Sequence, residues 1–218
     1  FLKNNFNKKI IFMSTCSVYG HSDQVIDESG FQNPLSLYAK SKIMAENTLK
    51  DYNDKCIFRL GTLFGIGDSY SRIRLDLVVN ILSMKAAIGK ELQVYGGEQW
   101  RPLLHVKDVA EAIIFVIKNE ITGTFNISNK NYKIVDIANE IKNIFVDQQV
   151  KVSIENSFFE DKRNYRVNSD KFRSQGWNPK YSLYDGISEI KDLINNKRIK
   201  NLNDKIYSNA NFTSEHFK

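Results

Sequence analysis

No glycine precedes Gly20, and no three of the eleven glycines fall into a Gly-x-x-Gly-x-x-Gly spacing. The sequence therefore shows no glycine-rich turn of the kind that lets backbone approach a pyrophosphate at a helix N-terminus. Cysteine is nearly absent. Cys16 and Cys56 each sit in a strand-like apolar run, with no metal-ligand spacing. That excludes a disulfide framework and a zinc site, and reads as two free buried thiols. No apolar run reaches the roughly 20 residues of a membrane helix, and the first residues show no secretory signal pattern. A cytoplasmic location is the expectation. A basic block is missing too. The net charge of +6 comes from scattered lysines, which read first as solvated surface and next as attraction for a phosphorylated small molecule. Nucleic acid is not an expected partner.

What is present alternates between strand and helix patterns. Lys9 to Met13 and Cys56 to Leu60 are short apolar runs that read as buried parallel strands. Leu92 to Tyr95 and Gly123 to Ser128 add two more. Helical patterns cover Ser36 to Asp51, residues 74 to 88, Val109 to Lys118 and Ile134 to Phe145. In the first of these, Leu37, Ala45 and Leu49 are expected to share a stripe. Asp23 to Pro34 is polar and reads as a loop. Strands alternating with helices of this length predict an α/β fold with a mainly parallel sheet. The Asn-rich stretch 201–218 is expected to be a loosely ordered tail.

One pair stands out chemically. Tyr38 and Lys42 are four residues apart on a predicted helix, so they share a face. A phenol has a pKa of about 10 and is a poor base at neutral pH. A nearby ammonium favours the phenolate, which suits the pair to general acid/base work beside a hydride transfer. The plainer reading is an exposed helix pair, but Tyr38 is the only tyrosine with Lys at that offset. Thr15 ends an apolar strand, at the edge where open α/β sheets place ligands. Its hydroxyl can orient a substrate oxygen while Tyr38 moves the proton.

Four segments carry a resemblance: Ser14-Thr15-Cys16-Ser17-Val18-Tyr19-Gly20, Pro34-Leu35-Ser36-Leu37-Tyr38-Ala39-Lys40-Ser41-Lys42, Arg59-Leu60-Gly61-Thr62-Leu63-Phe64-Gly65, and Arg101-Pro102-Leu103-Leu104-His105-Val106-Lys107-Asp108-Val109-Ala110. In this order the chain resembles the extended short-chain dehydrogenase/reductase superfamily, in its nucleotide-sugar epimerase/dehydratase branch. The resemblance implies a Rossmann-like doubly wound sheet plus a smaller α/β substrate subdomain. Residues 1–65, with the 106–130 helix and strand, would form the C-terminal half of the cofactor domain. Residues 66–105 and 131–200 would form mainly the substrate subdomain.

It also implies roles. Thr15, Tyr38 and Lys42 fall on the catalytic positions, and with Gly61 they would contact an NAD cofactor, NADP being the alternative. A nucleotide-diphosphate sugar would meet Thr62, Gln93, Val94, Tyr95, Arg101 and Arg163. Thr62 stands where the family often has Asn. Arg101 and Arg163 match diphosphate positions, where a guanidinium offers paired donors; the plainer reading of each is a surface salt bridge. Arg72 and Arg74 lie along the family's substrate loop, with surface charge an equal reading, and His105 reads as a satisfied core histidine. A homodimer is implied.

Two departures narrow this picture. Dehydratases of the branch carry Asp-Glu directly after the catalytic Thr, and decarboxylases usually keep the Glu. Cys16 and Ser17 stand there instead, which resembles the 4-epimerases and some 4-reductases. The expected activity is therefore epimerase or oxidoreductase chemistry at sugar C4. A 4-ketoreductase and a non-catalytic sugar-nucleotide-binding remnant are the alternatives. The family's opening strand and glycine turn are not found, so a fragment is expected, with the strand at Ile10 to Met13 left open at one edge.

Overall fold

The computed structural model describes residues 8–68, 72–155, 163–199 and 201–209. The parallel sheet read from the sequence is there. Strand β1 (Ile10–Thr15) pairs with β3 (Lys55–Leu60), and β3 pairs with β7 (Gly123–Ile127), all parallel. The register sets Thr15 opposite Leu60 and Leu60 opposite Ile127. Three strand ends thus meet along one edge, and the site is built there. Among the described residues β1 pairs on one side only.

Helix α1 (Leu37–Thr48) connects β1 to β3, and α3 (Val106–Lys118) leads into β7. Helix α3 buries Val109, Ala112 and Val116, a spacing that keeps one stripe inward. Those side chains meet Cys56, Phe58, Leu60, Phe125 and Ile127 of the sheet. Phe172 closes the cluster, with ring centroids 5.2 Å from Phe58 and 5.1 Å from Trp177.

A second core lies beyond Phe64. It joins α2 (Val78–Ala87), β5 (Leu92–Tyr95), α4 (Ile134–Ile144) and α6 (Leu183–Asn195). Strand β6 (Trp100–His105) lies between parallel β4 (Thr62–Phe64) and antiparallel β8 (Lys130–Lys133). Strand β5 pairs with β9 (Val152–Glu155). The short helix α5 (Asp170–Arg173) carries Phe172 into the first core.

Three local expectations change. The expected loop at Asp23 is strand β2 (His21–Ile26), parallel to β10 (Asn164–Val167). Its side chains are mostly exposed, so no apolar alternation marked it. Its partner is far along the chain, where local sequence says nothing of pairing. Helix α1 does not bury Leu37, which is 83% exposed; its inward stripe is Ala39, Glu46 and the following Leu49. A glutamate lies on that inner face because Arg59 waits for it on β3. Residues 201–209, expected to be loose, make specific contacts. The Leu75 amide donates to the Tyr207 carbonyl at 2.9 Å, and Leu202 and Tyr207 pack against Leu75, Ile190 and Leu193. Residues 210–218 lie outside the described residues.

Candidate active site

A cavity of about 590 Å³ opens where β1, β3 and β4 end. Thr15 and Ser17 line it from β1 and the 3-10 turn Cys16–Tyr19, and Tyr38 lines it from the first turn of α1. The opposite wall is the stretch Gly61 to Gly67. Arg72, Arg74, Asn80, Arg163, Tyr165 and Asn209 complete it.

The Thr15 hydroxyl accepts from the Ser17 amide at 3.1 Å and so caps the turn. Helix α1 starts where Ser36 caps it, its hydroxyl accepting from the Ala39 amide at 3.1 Å. This leaves Tyr38 in the exposed first turn, 55% exposed and on the cavity wall. Lys42 lies one turn on. Its ammonium donates to the Met13 carbonyl at 2.8 Å and sits 5.7 Å from the Tyr38 ring centre. It is behind the wall.

Beneath Thr15 lies a buried ionic network. Glu46 Oε2 accepts from Arg59 Nη2 at 2.7 Å, and Ser14 donates its hydroxyl to the same carboxylate. Arg59 also donates to the Tyr19 hydroxyl at 2.9 Å, and Tyr19 donates to Asn126 at 2.7 Å. Burial pulls the Arg59 pKa down, but Glu46 and Tyr19 outweigh it and hold the guanidinium above its ordinary value. Burial raises the Tyr19 phenol against the pull of Arg59. The Cys16 thiol donates to the Arg59 carbonyl at 3.0 Å, and its burial drives its pKa far up. Cys16 therefore faces away from the cavity and is chemically inert. Ser17 faces the cavity and shares a 3.0 Å hydrogen bond with the Tyr165 hydroxyl.

A second network fixes the far wall. Gly65 has φ +81°, and a Cβ there would lie 1.9 Å from His105 Nε2, so only glycine fits. Asn80 Oδ1 accepts from the Gly65 amide at 2.9 Å. Glu189 accepts from the Ile66 amide at 2.8 Å, from His105 Nε2 at 3.0 Å and from the Lys107 ammonium. His105 Nδ1 accepts the Lys107 amide at the start of α3, so its proton is on Nε2. Burial works against the ionised Glu189, but its hydrogen bonds prevail and hold its carboxyl at about 2. His105 is thus a fully engaged core residue.

The residues expected from the sequence divide into two groups. Thr15, Tyr38, Gly61, Thr62 and Arg163 line the cavity together. A Cβ on Gly61 would sit 2.8 Å from the Pro102 carbonyl, so close strand packing already requires glycine there. Gln93, Val94, Tyr95 and Arg101 are not among the lining residues. Val94 is 2% exposed in the second core, while Gln93 and Tyr95 alternate outward on β5. Arg101 is 4% exposed; it donates to the Trp100 carbonyl at 2.7 Å and to the Arg163 carbonyl, beneath the Tyr165 ring. It braces Arg163 from behind. Arg72 and Arg74, read equally as surface charge, do line the cavity. Tyr165, Asn80 and Asn209 were not anticipated. Tyr165 had a signal available, being two residues after Arg163; the other two had none.

Among the described residues no helix is long and apolar enough to cross a membrane, and no cluster of His, Cys, Asp and Glu could hold a metal ion.

Known proteins are similar to this chain in sequence and in fold. The mouse dTDP-D-glucose 4,6-dehydratase is 28% identical over 197 residues, covering 84% of this chain and 54% of that protein. An Escherichia coli O157:H7 N-acetyl-alpha-D-glucosaminyl-diphospho-ditrans,octacis-undecaprenol 4-epimerase is 31% identical over 129 residues, covering 56% of this chain and 37% of its own. The chain thus spans about half the length, or less, of these curated relatives. The structure of UDP-glucuronic acid 4-epimerase from Bacillus cereus, in complex with UDP-glucuronic acid and NAD, superposes with a TM-score of 0.74 at 25% identity, covering 89% of this chain and 64% of that one. The model of the NAD dependent epimerase/dehydratase family matches residues 2–128. With the parallel sheet and the Thr15–Tyr38 cavity at its edge, this chain belongs to the NAD dependent epimerase/dehydratase family.

Proposed function

We propose that this protein acts on a nucleotide-diphosphate sugar at C4, as an NAD-dependent epimerase or related oxidoreductase. The observation that carries the reading is the convergence of Thr15, Tyr38 and Arg163 on one cavity at the carboxyl edge of the sheet. The donor set fits the nicotinamide end of the cofactor: a hydroxyl, a phenol and a nearby ammonium at an open strand edge. When bound, that ring supplies hydride transfer.

The chain's own part is proton movement and orientation. The Thr15 hydroxyl orients the C4 oxygen. The Tyr38 phenol oxygen exchanges the proton of that hydroxyl, with Lys42 one helical turn behind it. Arg163, braced by Arg101, holds the diphosphate. Cys16 points into the core and Ser17 is neutral, so neither position supplies the acid and base that water elimination requires. This favours epimerase over dehydratase chemistry, although the curated relatives include dehydratases and decarboxylases.

The same reading assigns residues 1–65 and 106–130 to the cofactor side, and 66–105 with 131–200 to the substrate side. The first core draws mainly on the cofactor-side ranges but also on Leu104, Phe172 and Trp177, and the second takes in Phe64 from the cofactor side. It also carries a cytoplasmic homodimer, for which the outward Leu37 and Met44 of α1 offer apolar surface; sedimentation tests the assembly.

The decisive experiment compares Tyr38→Phe with the unaltered native polypeptide, given NAD and UDP-glucose or dTDP-glucose. Turnover should fall by roughly 10²–10⁴-fold with Tm unchanged. Near-normal turnover by the variant would overturn the assignment. Stoichiometric consumption of a reduced cofactor with a 4-ketosugar would make it a reductase.

A further inference from the structure

The C-terminal stretch that the sequence left as a tail reaches the cavity. Asn209 lines it, together with Arg72 on the neighbouring chain segment. Hydrogen bonds fasten the two segments. Arg72 Nη1 donates to the Ile206 carbonyl at 2.7 Å, and Arg72 Nη2 donates to Asn209 Oδ1. The Asn209 amide donates to Asp76 Oδ2 at 2.8 Å, and the Leu75 amide donates to the Tyr207 carbonyl at 2.9 Å. Asp76 in turn accepts two hydrogen bonds from Arg74, at 2.8 and 3.0 Å. Leu202 and Tyr207 seat the stretch on an apolar cluster with Leu75, Ile190 and Leu193. A 3-10 turn at Lys205–Tyr207, capped by Asp204, brings Asn209 round to the wall.

We infer that residues 204–209 form a strap that aims the Arg72 guanidinium at the anionic part of the substrate, so that Asn209 and Arg72 act as one substrate-positioning unit. The inference rests on the nucleotide-diphosphate-sugar reading above. The physical reason is entropic. An arginine side chain has many rotamers, and ordering one on binding costs affinity. Two acceptors on the strap hold Arg72 in place beforehand. Arg163 lines the same cavity, as does Arg74, which Asp76 already pairs, so Arg72 adds a placed guanidinium of the kind suited to phosphate oxygens. The Leu75–Tyr207 and Asp76–Asn209 bonds use strap backbone and Tyr207 packs on the apolar cluster, so these contacts help set where Asn209 stands independently of its side chain. Asn209 Oδ1 meets Arg72 as a neutral acceptor.

The test is a binding titration of the native polypeptide and two variants with UDP-glucose and dTDP-glucose, alongside Tm. Asn209→Ala should raise Kd about tenfold, the size of one charge-assisted hydrogen bond, with kcat little changed. Asn209→Asp keeps an acceptor for Arg72, so its Tm should stay within about 2 °C of the unaltered protein. Its added negative charge should nevertheless raise Kd at least as far, and more so at low salt. A strap that merely braced the fold would have its Kd restored by Asn209→Asp. That restoration, or a Kd within about twofold of normal in both variants, would overturn the inference. Arg72→Gln gives a second measurement. Combined with Asn209→Ala it should add little further loss, because the two residues act together; fully additive losses would also overturn it. Failure of the unaltered protein to bind either nucleotide sugar would instead remove the functional reading, and this inference with it.

Discussion

Beneath Thr15 the Glu46 carboxylate faces one guanidinium in a dry interior, with Arg59 and Glu46 both nearly out of solvent. Beneath Gly65 the Glu189 carboxylate is shared by an imidazole, an ammonium and a backbone amide, and keeps some contact with water. Both networks hold a wall of the same cavity. The first joins α1 to β1 and β3, so it fixes the spacing between Thr15 and the Tyr38 helix. The second ties the Gly65 turn to α3 and α6, so it fixes the far wall. They differ in how much depends on one partner. A buried pair fails badly when either ion is removed, because the other is left uncompensated. A shared, partly wet carboxylate loses one contact among several.

The largest expected effect comes from breaking the first network. Arg59→Met should destabilise the protein by about 3–5 kcal/mol, a Tm loss of about 10 °C for a chain of this size. Thermal unfolding followed by circular dichroism reads it. Adding Glu46→Leu to that variant should recover much of the loss, since the stranded charge is gone. If the double variant is no better than Arg59→Met, the cost lies in lost packing and not in the charge.

Glu189→Gln should cost less, about 1–2 kcal/mol. Glutamine can still accept from the Ile66 amide, but the contacts with the Lys107 ammonium and the His105 Nε2–H weaken. This site also carries a pH signature. The folded-state pKa of Glu189 lies at about 2, below its ordinary value of 4.5. Its stabilising contribution is therefore complete above pH 4.5 and is lost as pH falls toward 2. The Tm of the unaltered protein should drop more steeply across that interval than the Tm of Glu189→Gln. Parallel curves would show that Glu189 is not the group responsible.

The smallest effect sharpens the comparison from within the first network. Cys16 donates its thiol to the Arg59 carbonyl, and burial pushes the Cys56 thiol up to about 12. Neither should react with a thiol reagent at neutral pH in the folded protein. In Arg59→Met, labelling of Cys16 should appear, reporting local opening beside Thr15. Prompt labelling of the unaltered protein would mean this region opens more readily than its packing indicates.

Several parts of the site were legible without coordinates because they depend on neighbours in the chain. Four residues along a helix place Tyr38 and Lys42 on one face wherever that helix docks. An apolar run ending in Ser14 and Thr15 reads as a buried strand with a polar end, and β1 is that strand. The quoted motifs carried the family, and the match over residues 2–128 agrees. His105 in an apolar stretch was legible as a satisfied core residue.

Tertiary structure alone decided the rest, and the reason is separation along the chain. Polar His21 to Ile26 becomes a strand only because Asn164 to Val167 arrives beside it. Glu46 looks like a surface residue until Arg59 is placed on the adjacent strand. Arg101 resembles a ligand-binding arginine in its motif, yet the Arg163 carbonyl draws its guanidinium behind the wall. Asn209 becomes part of the cavity through hydrogen bonds to residues 72 and 76. The sequence by itself determined the secondary-structure alternation, the family and the placing of Tyr38 and Lys42 on one helix face, because local periodicity and short spacings encode them. Only the folded chain decided which charges are buried in pairs and which polar side chains reach the cavity, because those depend on partners that sequence order does not bring together.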